Sequence, residues 1–434
     1  MKKSVFTFLL ILLSLLMLLP SCGEHGSSEG SSVPPEGGTI APGNYLIDPM
    51  FDTDEFLPGY DRENHFIPRC PWVRVGDTII HSLENGNTKF FYYYDCNSGE
   101  NGILCGKPDC THEGDDRKDC DGFVIKIIGP DLSCYNGKLY WVGSEPGALA
   151  YFYLMESDTT GANRRKVRRI SREMMLGTVN PSFVVHRGYV YYTGIKYRTE
   201  GTKDIASFVF SFSPISSKND EDFEVVLDID NDIYAMDYSL CYVGNCVYIG
   251  VSLSDRFELY RFNSKTRELE TLIDPIPDFG AKIWVSSKHE VYLWQGTKGE
   301  QKLFHLDDGK LVTKMDFSHG ERRTYSALIN GIVILSRKVE DNRRYYEIYT
   351  VDGKQIYSGL LVPEEYKGLS GDKLKGISGP VYGCDENNLY VGYSDDRDQS
   401  APKFLFLRFK FKDGNIEESV VYKGNQYYTG TAWW

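Results

Sequence analysis

The sequence predicts an all-β chain folded as a β-propeller of about seven four-stranded blades, and two observations carry that prediction. Aromatic residues make up 14% of the 434 residues, with 31 Tyr and 23 Phe, a composition that favours strands. Helical patterning is confined to a short stretch near Pro363-Glu364-Glu365-Tyr366. The second observation is a repeat in which a polar turn containing Gly or Asn leads into an apolar-aromatic strand.

The first instances of the repeat are Gly76-Asp77-Thr78-Ile79-Ile80, Asn136-Gly137-Lys138-Leu139-Tyr140 and Arg187-Gly188-Tyr189-Val190-Tyr191. Gly244-Asn245-Cys246-Val247-Tyr248, Lys288-His289-Glu290-Val291-Tyr292, Asn330-Gly331-Ile332-Val333-Ile334 and Asn387-Asn388-Leu389-Tyr390 complete the set. Their last residues fall at 80, 140, 191, 248, 292, 334 and 390, a mean spacing of about 52. Asn-Gly followed by alternating apolar residues signals a tight hairpin, because both central residues of a type I′ turn need positive φ. Several units carry a second hairpin pattern. Examples are Phe257–Phe262 followed by Leu269–Ile273, and Tyr345–Thr350 followed by Gln355–Tyr357. Two hairpins make one four-stranded blade. Six or eight blades stay open, since the first and last units are the least regular. Residues 45–66 or Val421–Trp434 are candidates for a strand that closes the ring. The competing architecture, a pair of β-sandwiches, requires the spacing to be coincidental.

At the amino terminus, Lys2 and Lys3 precede an apolar stretch from Val5 to Leu19, interrupted by Thr7 and Ser14. About 15 residues suit a signal-peptide core and fall short of the roughly 20 that span a bilayer. Leu19-Pro20-Ser21-Cys22 follows, with polar sequence directly behind it. This resembles the lipobox of bacterial lipoproteins, and Pro20 is an uncommon choice at its position. The resemblance implies that residues 1–21 are a signal peptide and that Cys22 carries lipid, palmitate among its chains. It places the protein on the extracytoplasmic face of the cell membrane. An uncleaved membrane anchor with an incidental Cys is the alternative. Residues 22–44 are mostly Gly, Ser, Glu and Pro, a composition that buries too little apolar surface to order itself, and read as a flexible tether. Residues 45–434 form the propeller domain.

Without Lys2 and Lys3, 46 basic residues face 61 acids, a net charge of about −15. That opposes nucleic acid as a partner and opposes docking on anionic lipid, so the lipid must do the anchoring. A monomer is expected.

Cys105-Gly106-Lys107-Pro108-Asp109-Cys110-Thr111-His112, with Cys120 eight residues on, is the most unusual local feature. Cys105, Cys110, His112 and Cys120 are three soft ligands and one borderline ligand within 16 residues, and could close a tetrahedral structural zinc site. The spacing lacks the C-x2-C of most zinc ribbons. Disulfides or free thiols are the alternatives. Nine cysteines remain beside Cys22, so at least one stays unpaired or binds metal. Cys241 and Cys246 flank a turn which, if it matches the Asn136-Gly137 one, centres on Gly244-Asn245 and sets Cys246 opposite Val243 and Cys241 opposite Tyr248, out of bridging register, whereas a shift of one residue would bring the two thiols opposite each other.

Two further resemblances concern the fold. Met155-Glu156-Ser157-Asp158-Thr159-Thr160-Gly161-Ala162-Asn163-Arg164-Arg165 resembles the short repeat of TolB-type propellers, echoed by Val351-Asp352-Gly353-Lys354. The lipobox, the loop from Leu104 to Cys120 and the blade pattern together resemble propeller-like lipoproteins of Gram-positive gut bacteria, which have no established activity to carry over.

The remaining candidates are weaker. Asp228-Ile229-Asp230-Asn231-Asp232 alternates acids as calcium loops do but lacks the Gly and Glu of an EF-hand, and Asp395-Asp396-Arg397-Asp398 is weaker still. Arg164–Arg169 is a basic run, read as an outer strand facing water or as a contact for an anionic cell-wall polymer. The G-x-S-x-G match at Gly26–Gly30 lies in the tether, without the strand-turn-helix of a nucleophile elbow. His186, His289 and His305 fall in or beside strands and read as packed residues. Trp72, Trp141, Trp284 and Trp294 suit the spaces between blades, and Trp433-Trp434 suits a docking role. The sequence therefore points to a surface-anchored binding or scaffold protein for a glycan, peptide or partner protein. The alternatives are a carbohydrate-active or other hydrolytic propeller using Asp or Glu at the channel mouth, and an envelope sensor or assembly factor.

Overall fold

The computed structural model describes residues 53–57, 61, 72–85, 88–112, 119–124, 132–145, 148–171, 174, 178–200, 203–218, 222–231 and 236–296. It also describes residues 301–318, 325–339, 343–369, 377–379, 381–395, 397–398, 403–412 and 415–424. All lie in the compact unit of residues 46–434. The segment 1–21, Cys22, the segment 22–44 and Trp433-Trp434 fall outside the described residues.

Seven antiparallel sheets follow one another along the chain. Blade 1 holds β1 (Trp72–Val75), β2 (Thr78–Asn85), β3 (Thr88–Asp95), β4 (Asn101–Ile103) and β5 (Phe123–Val124). Blade 2 holds β6 (Ser133–Tyr135), β7 (Lys138–Glu145), β8 (Ala148–Asp158) and β9 (Arg165–Ile170). Blade 3 holds β10 (Thr178–His186), β11 (Tyr189–Glu200), β12 (Lys203–Pro214) and β13 (Glu224–Asn231). Blade 4 holds β14 (Asp237–Val243), β15 (Cys246–Ser252), β16 (Arg256–Asn263), β17 (Glu268–Thr271) and β18 (Ile276–Pro277). Blade 5 holds β19 (Lys282–Val285), β20 (Val291–Gln295), β21 (Lys302–Asp307) and β22 (Lys310–Asp316). Blade 6 holds β23 (Tyr325–Ile329), β24 (Ile332–Lys338), β25 (Arg344–Thr350) and β26 (Gln355–Leu360). Blade 7 holds β27 (Ile377–Ser378), β28 (Val381–Cys384), β29 (Asn388–Asp395), β30 (Lys403–Lys412) and β31 (Asn415–Gly424).

Every repeat singled out in the sequence leads into the second strand of one blade. The turns in front of them behave as their residues require. Asn136-Gly137, Arg187-Gly188 and Asn330-Gly331 have positive φ at both positions, while Gly76 and Gly244 take it alone at the first. The register in blade 4 pairs Cys241 with Tyr248 and Val243 with Cys246, so the two thiols face different partners. The stretch at Pro363–Tyr366 supplies a single 3-10 turn over Glu364–Tyr366. Second strands are apolar on both faces, as β15 is from Cys246 to Val251, because each sheet is covered by a neighbour on either side. Outer strands such as β17, Glu-Leu-Glu-Thr, are exposed throughout.

The core is a ring of inter-blade seams. One apolar cluster joins blades 1 and 2 around Phe91, Leu139 and Trp141. Others join 2 to 3, 3 to 4, 4 to 5, 5 to 6 and 6 to 7. The seventh joins blade 7 back to blade 1 through Trp72, Ile79, Tyr94, Tyr390, Phe404 and Phe406. Closure therefore uses side chains. Among the described residues neither candidate closing segment adds a strand to a distant blade. Val421 lies in β31, at the edge of blade 7's own sheet, and residues 53–57 form no strand. The irregularity of the end units is visible in the three-residue β4 and in the split of blade 7's inner edge into β27 and β28.

Residues 53–57 and Asp61 form a strap across the first turns of blades 3, 4 and 5. Arg187 Nε and Nη2 donate to Asp61 Oδ1 and Oδ2 at 2.6 and 2.7 Å, with both side chains almost fully buried. Arg187 Nη1 also donates to Thr53 O at 2.6 Å, and Asn245 Nδ2 donates to the same oxygen at 3.1 Å. His289 holds Asp54 O through Nε2 at 2.7 Å while Tyr248 OH lies 2.9 Å from Nδ1, an arrangement that suits the neutral Nε2–H tautomer. Gly244 is required twice over, by its φ of +59° and because a Cβ there would lie 1.9 Å from Asp54 O.

Two predictions follow from the seam and the strap. His81 is fully buried against Trp72 with ring centroids 4.2 Å apart, and neither ring nitrogen has a partner among the described residues. Burial lowers its pKa from 6.5 to about 3. The unfolded chain therefore takes up a proton that the folded chain refuses. Stability is intact above pH 6.5 and falls as the pH drops toward 3, by about 1.4 kcal/mol per unit. His81→Phe should flatten that acid slope in urea titrations between pH 4 and 7. Arg187→Ala leaves Asp61 buried and unpaired and should cost about 3–5 kcal/mol. Adding Asp61→Ala should restore part of that loss, measured by chemical denaturation of the double-mutant cycle.

Candidate metal centre

Blade 1's outer edge is broken in the middle. β4 pairs with Tyr92–Tyr94 of β3, and β5 pairs with Lys89 and Phe90. Between them Phe91 receives both halves. Leu104 N donates to Phe91 O and Phe91 N donates to Gly122 O, each at 2.8 Å. The chain from Cys105 to Asp121 leaves the sheet at this point and returns to it.

That excursion carries Cys105, Cys110, His112 and Cys120. One ligand atom from each lies within 4.8 Å of all the others. His112, at a positive φ of 60°, places Nδ1 3.3 Å from Cys120 Sγ. Among the described residues it is the one group of His, Cys, Asp and Glu side chains gathered closely enough to hold a metal ion. A tetrahedral site with bonds of about 2.3 Å sets its sulfurs about 3.8 Å apart, so small side-chain movements suffice. Cys120 is buried and the other three are half-buried.

The electrostatics favour one thiolate in the set. Burial opposes ionisation of Cys105, but backbone amides of Lys107 and Asp121 and the thiols of Cys120 and Cys110 outweigh it and bring its pKa below the ordinary value. Burial pushes Cys120 up to about 12, with the thiols of Cys110 and Cys105 adding to the rise. A bound divalent cation would supply the charge that lets all three sulfurs ionise together.

The neck of the loop is held by blade 2. Arg164 donates to the carbonyls of Asp121 and Phe123, and its guanidinium lies 5.6 Å from the Trp141 ring centroid. Within the loop, Lys107 donates to Asp119 O and lies 3.5 Å from the Asp121 carboxylate. At Gly161, φ is +85° and a Cβ would stand 2.9 Å from both Asp121 O and Leu104 O. The TolB-like turn of the sequence is thus the piece that packs on this neck.

The other candidates fall into structural roles. In the basic run, Arg164 clamps the neck and Arg165 pairs with Glu156 at 2.6 Å. Lys166 and Arg169 lie over the Tyr153 and Tyr151 rings, and Arg168 is buried, donating to Ser213 Oγ at 2.7 Å. The run forms β9, the outer strand of blade 2, with Arg165, Lys166 and Arg169 exposed as the sequence suggests and Arg168 buried. Asp230 is taken by Arg198 at 2.5 Å and by Ser207, while Asp232 and Asp396 lie outside the described residues. His186 is buried with Nε2 2.8 Å from Gly244 O, and the His305 ring centroid lies 5.0 Å from that of Tyr292. Trp72, Trp141 and Trp294 are buried between blades, with Trp284 packed against the seam of blades 5 and 6. The described buried carboxylates Asp61, Glu156, Glu258 and Asp395 each meet an arginine, in four different places.

No protein-family model and no curated protein matches the chain. Solved structures with a similar fold include an acylaminoacyl peptidase from Pyrococcus horikoshii, at 12% identity and a TM-score of 0.46, covering 84% of this chain and 54% of that one. The β-propeller domain of the Trilobed protease from Pyrococcus furiosus matches at 11% identity and a TM-score of 0.44, covering 81% and 97%. TolB from Acinetobacter baumannii matches at 15% identity and a TM-score of 0.35, covering 82% and 80%. The chain spans about half the length of the acylaminoacyl peptidases it matches. The likeness to all of these is one of fold.

Gly161→Ala should destabilise the protein by about 1–3 kcal/mol, since it combines an unfavourable φ with a collision at the neck. Urea denaturation measures the loss, and limited proteolysis should show cleavage concentrated between residues 104 and 122.

Proposed function

We propose that the chain is a lipid-anchored propeller of the extracytoplasmic membrane face that binds or scaffolds a glycan, peptide or envelope protein. The observation behind this reading is the unlikeness of the two ends of the ring. One end is covered over blades 3 to 5 by the chain's own strap. At the other end lies the β11–β12 hairpin. Among the described residues β10 pairs as far as Lys196 and β13 as far as Ala206, whereas the hairpin continues to Glu200 and Lys203. About four residue pairs, roughly 13 Å, continue beyond that described pairing. From Lys196 to Glu200 the strand is exposed, Tyr197 by 40%. A protruding aromatic on a rigid hairpin is suited to contact a partner at little entropic cost.

The lipobox around Cys22 supports the anchor, and the acidic net charge leaves lipid as the means of attachment. A hydrolytic role would need buried carboxylates free to act on substrate. Those described each neutralise an arginine, so the binding reading takes precedence.

Cys22→Ala should move the protein from the membrane fraction to the soluble fraction and abolish incorporation of labelled palmitate. Retention of both would overturn the anchor. A thermal-shift screen with glycans, cell-wall fragments and peptides should give a hit that Tyr197→Ser weakens without changing the unliganded Tm. Turnover of the hit would replace binding by catalysis, and a hit insensitive to Tyr197→Ser and to shortening of the hairpin would place the partner elsewhere.

A further inference from the structure

We propose that Cys105, Cys110, His112 and Cys120 bind one zinc ion, and that this ion holds together the excursion by which blade 1's outer edge passes from β4 to β5. Four observations converge on it. The donor set is three sulfurs and one imidazole, which fills a tetrahedral shell and leaves no position for water or substrate, the pattern of a structural site. The donors are gathered within 4.8 Å although they are spread over 16 positions of the chain. Cys120 is buried, and His112 Nδ1 lies 3.3 Å from its sulfur. The loop also joins the two halves of blade 1's outer edge, β4 and β5, which meet at Phe91.

A disulfide fits these residues less well. Any pairing of two of the three thiols leaves the third beside them with His112, and nothing in the arrangement selects a pair. The metal uses all four. Blade 2 extends the consequence, because Arg164 and the Gly161 turn grip the carbonyls of Leu104, Asp121 and Phe123 at the neck. Fixing the loop with zinc therefore also fixes the seam between blades 1 and 2.

The test uses the full chain purified in detergent. Elemental analysis should give one zinc per chain. Exchange into cobalt should give the visible absorption of a tetrahedral thiolate complex. Cys110→Ser and His112→Ala should each lose the metal, and His112→Cys should retain it. Stripping zinc with a chelator should raise hydrogen exchange in residues 101–124 and 158–165 and leave blades 4 to 6 unchanged. Arg164→Ala should keep the zinc and the protection of residues 105–120 but lose the protection of 158–165. A metal-free chain whose mass shows a disulfide within residues 105–120 would overturn the proposal. So would a metal-free chain with three free thiols that binds no added zinc, or a zinc-loaded chain whose exchange the chelator leaves unchanged. None of these outcomes bears on the membrane anchor or the hairpin face, so this proposal and the binding role stand or fall separately.

Discussion

Everything in this molecule depends on one seam, the packing of blade 7 against blade 1. A ring of sheets has no stability as a ring until its last member meets its first. Among the described residues, side chains make that closure. Trp72 lies against His81 and Phe406 with centroids 4.2 and 4.0 Å away, and Tyr382, Tyr390 and Phe404 fill the remaining space. Polar contacts add to the same seam, with Arg74 pairing with Asp385 at 3.3 Å and Arg408 donating a hydrogen bond to Cys96 O at 2.6 Å. The closure is large and aromatic, and its cost is one histidine held neutral in the middle of it.

The strap singles out one sector of the ring. A propeller built of similar blades has an approximate rotational symmetry about its channel, so no blade is set apart by the fold alone. Arg187, in a turn position that usually favours Asn or Gly, breaks the symmetry by anchoring Asp61 and the carbonyls of Thr53 and Glu55. The positive φ of that arginine is sustained by the buried ion pair, and the pair in turn needs the φ to aim the guanidinium. On the other side the long hairpin of blade 3 makes the second end distinctive.

The cysteine loop shows where a propeller tolerates insertion. The outer strand of a blade contributes little to the inter-blade core, and its far edge is unpaired, so a break there costs few contacts. Leu104, Val124 and Phe123 keep the flanks in the core while the loop leaves it. Its return to the sheet at Gly122 is held by the neighbouring blade through Arg164, which turns a surface excursion into part of the seam between blades 1 and 2.

What could be read from the sequence was local. Asn136-Gly137 and Asn330-Gly331 declare their turns because only certain residues accept positive φ at both positions, and the strand that follows is set by alternation within a few residues. The count of seven blades, the register around Cys241 and Cys246 and the grouping of Cys105, Cys110, His112 and Cys120 are all consequences of short spacings. The tertiary structure decided whatever joins residues far apart. Asp61 and Arg187 are 126 positions from each other, and nothing near either marks them as a pair. The basic run at Arg164–Arg169 looked like one surface and became a neck clamp, an ion pair, a buried donor and two ring contacts. Each of its side chains meets a different element, which only the assembled blades bring within reach. The side-chain seam between blade 7 and blade 1 belongs to the same class. Whether Trp72 meets Phe406 depends on the accumulated twist of seven sheets, a quantity that no single stretch of sequence contains.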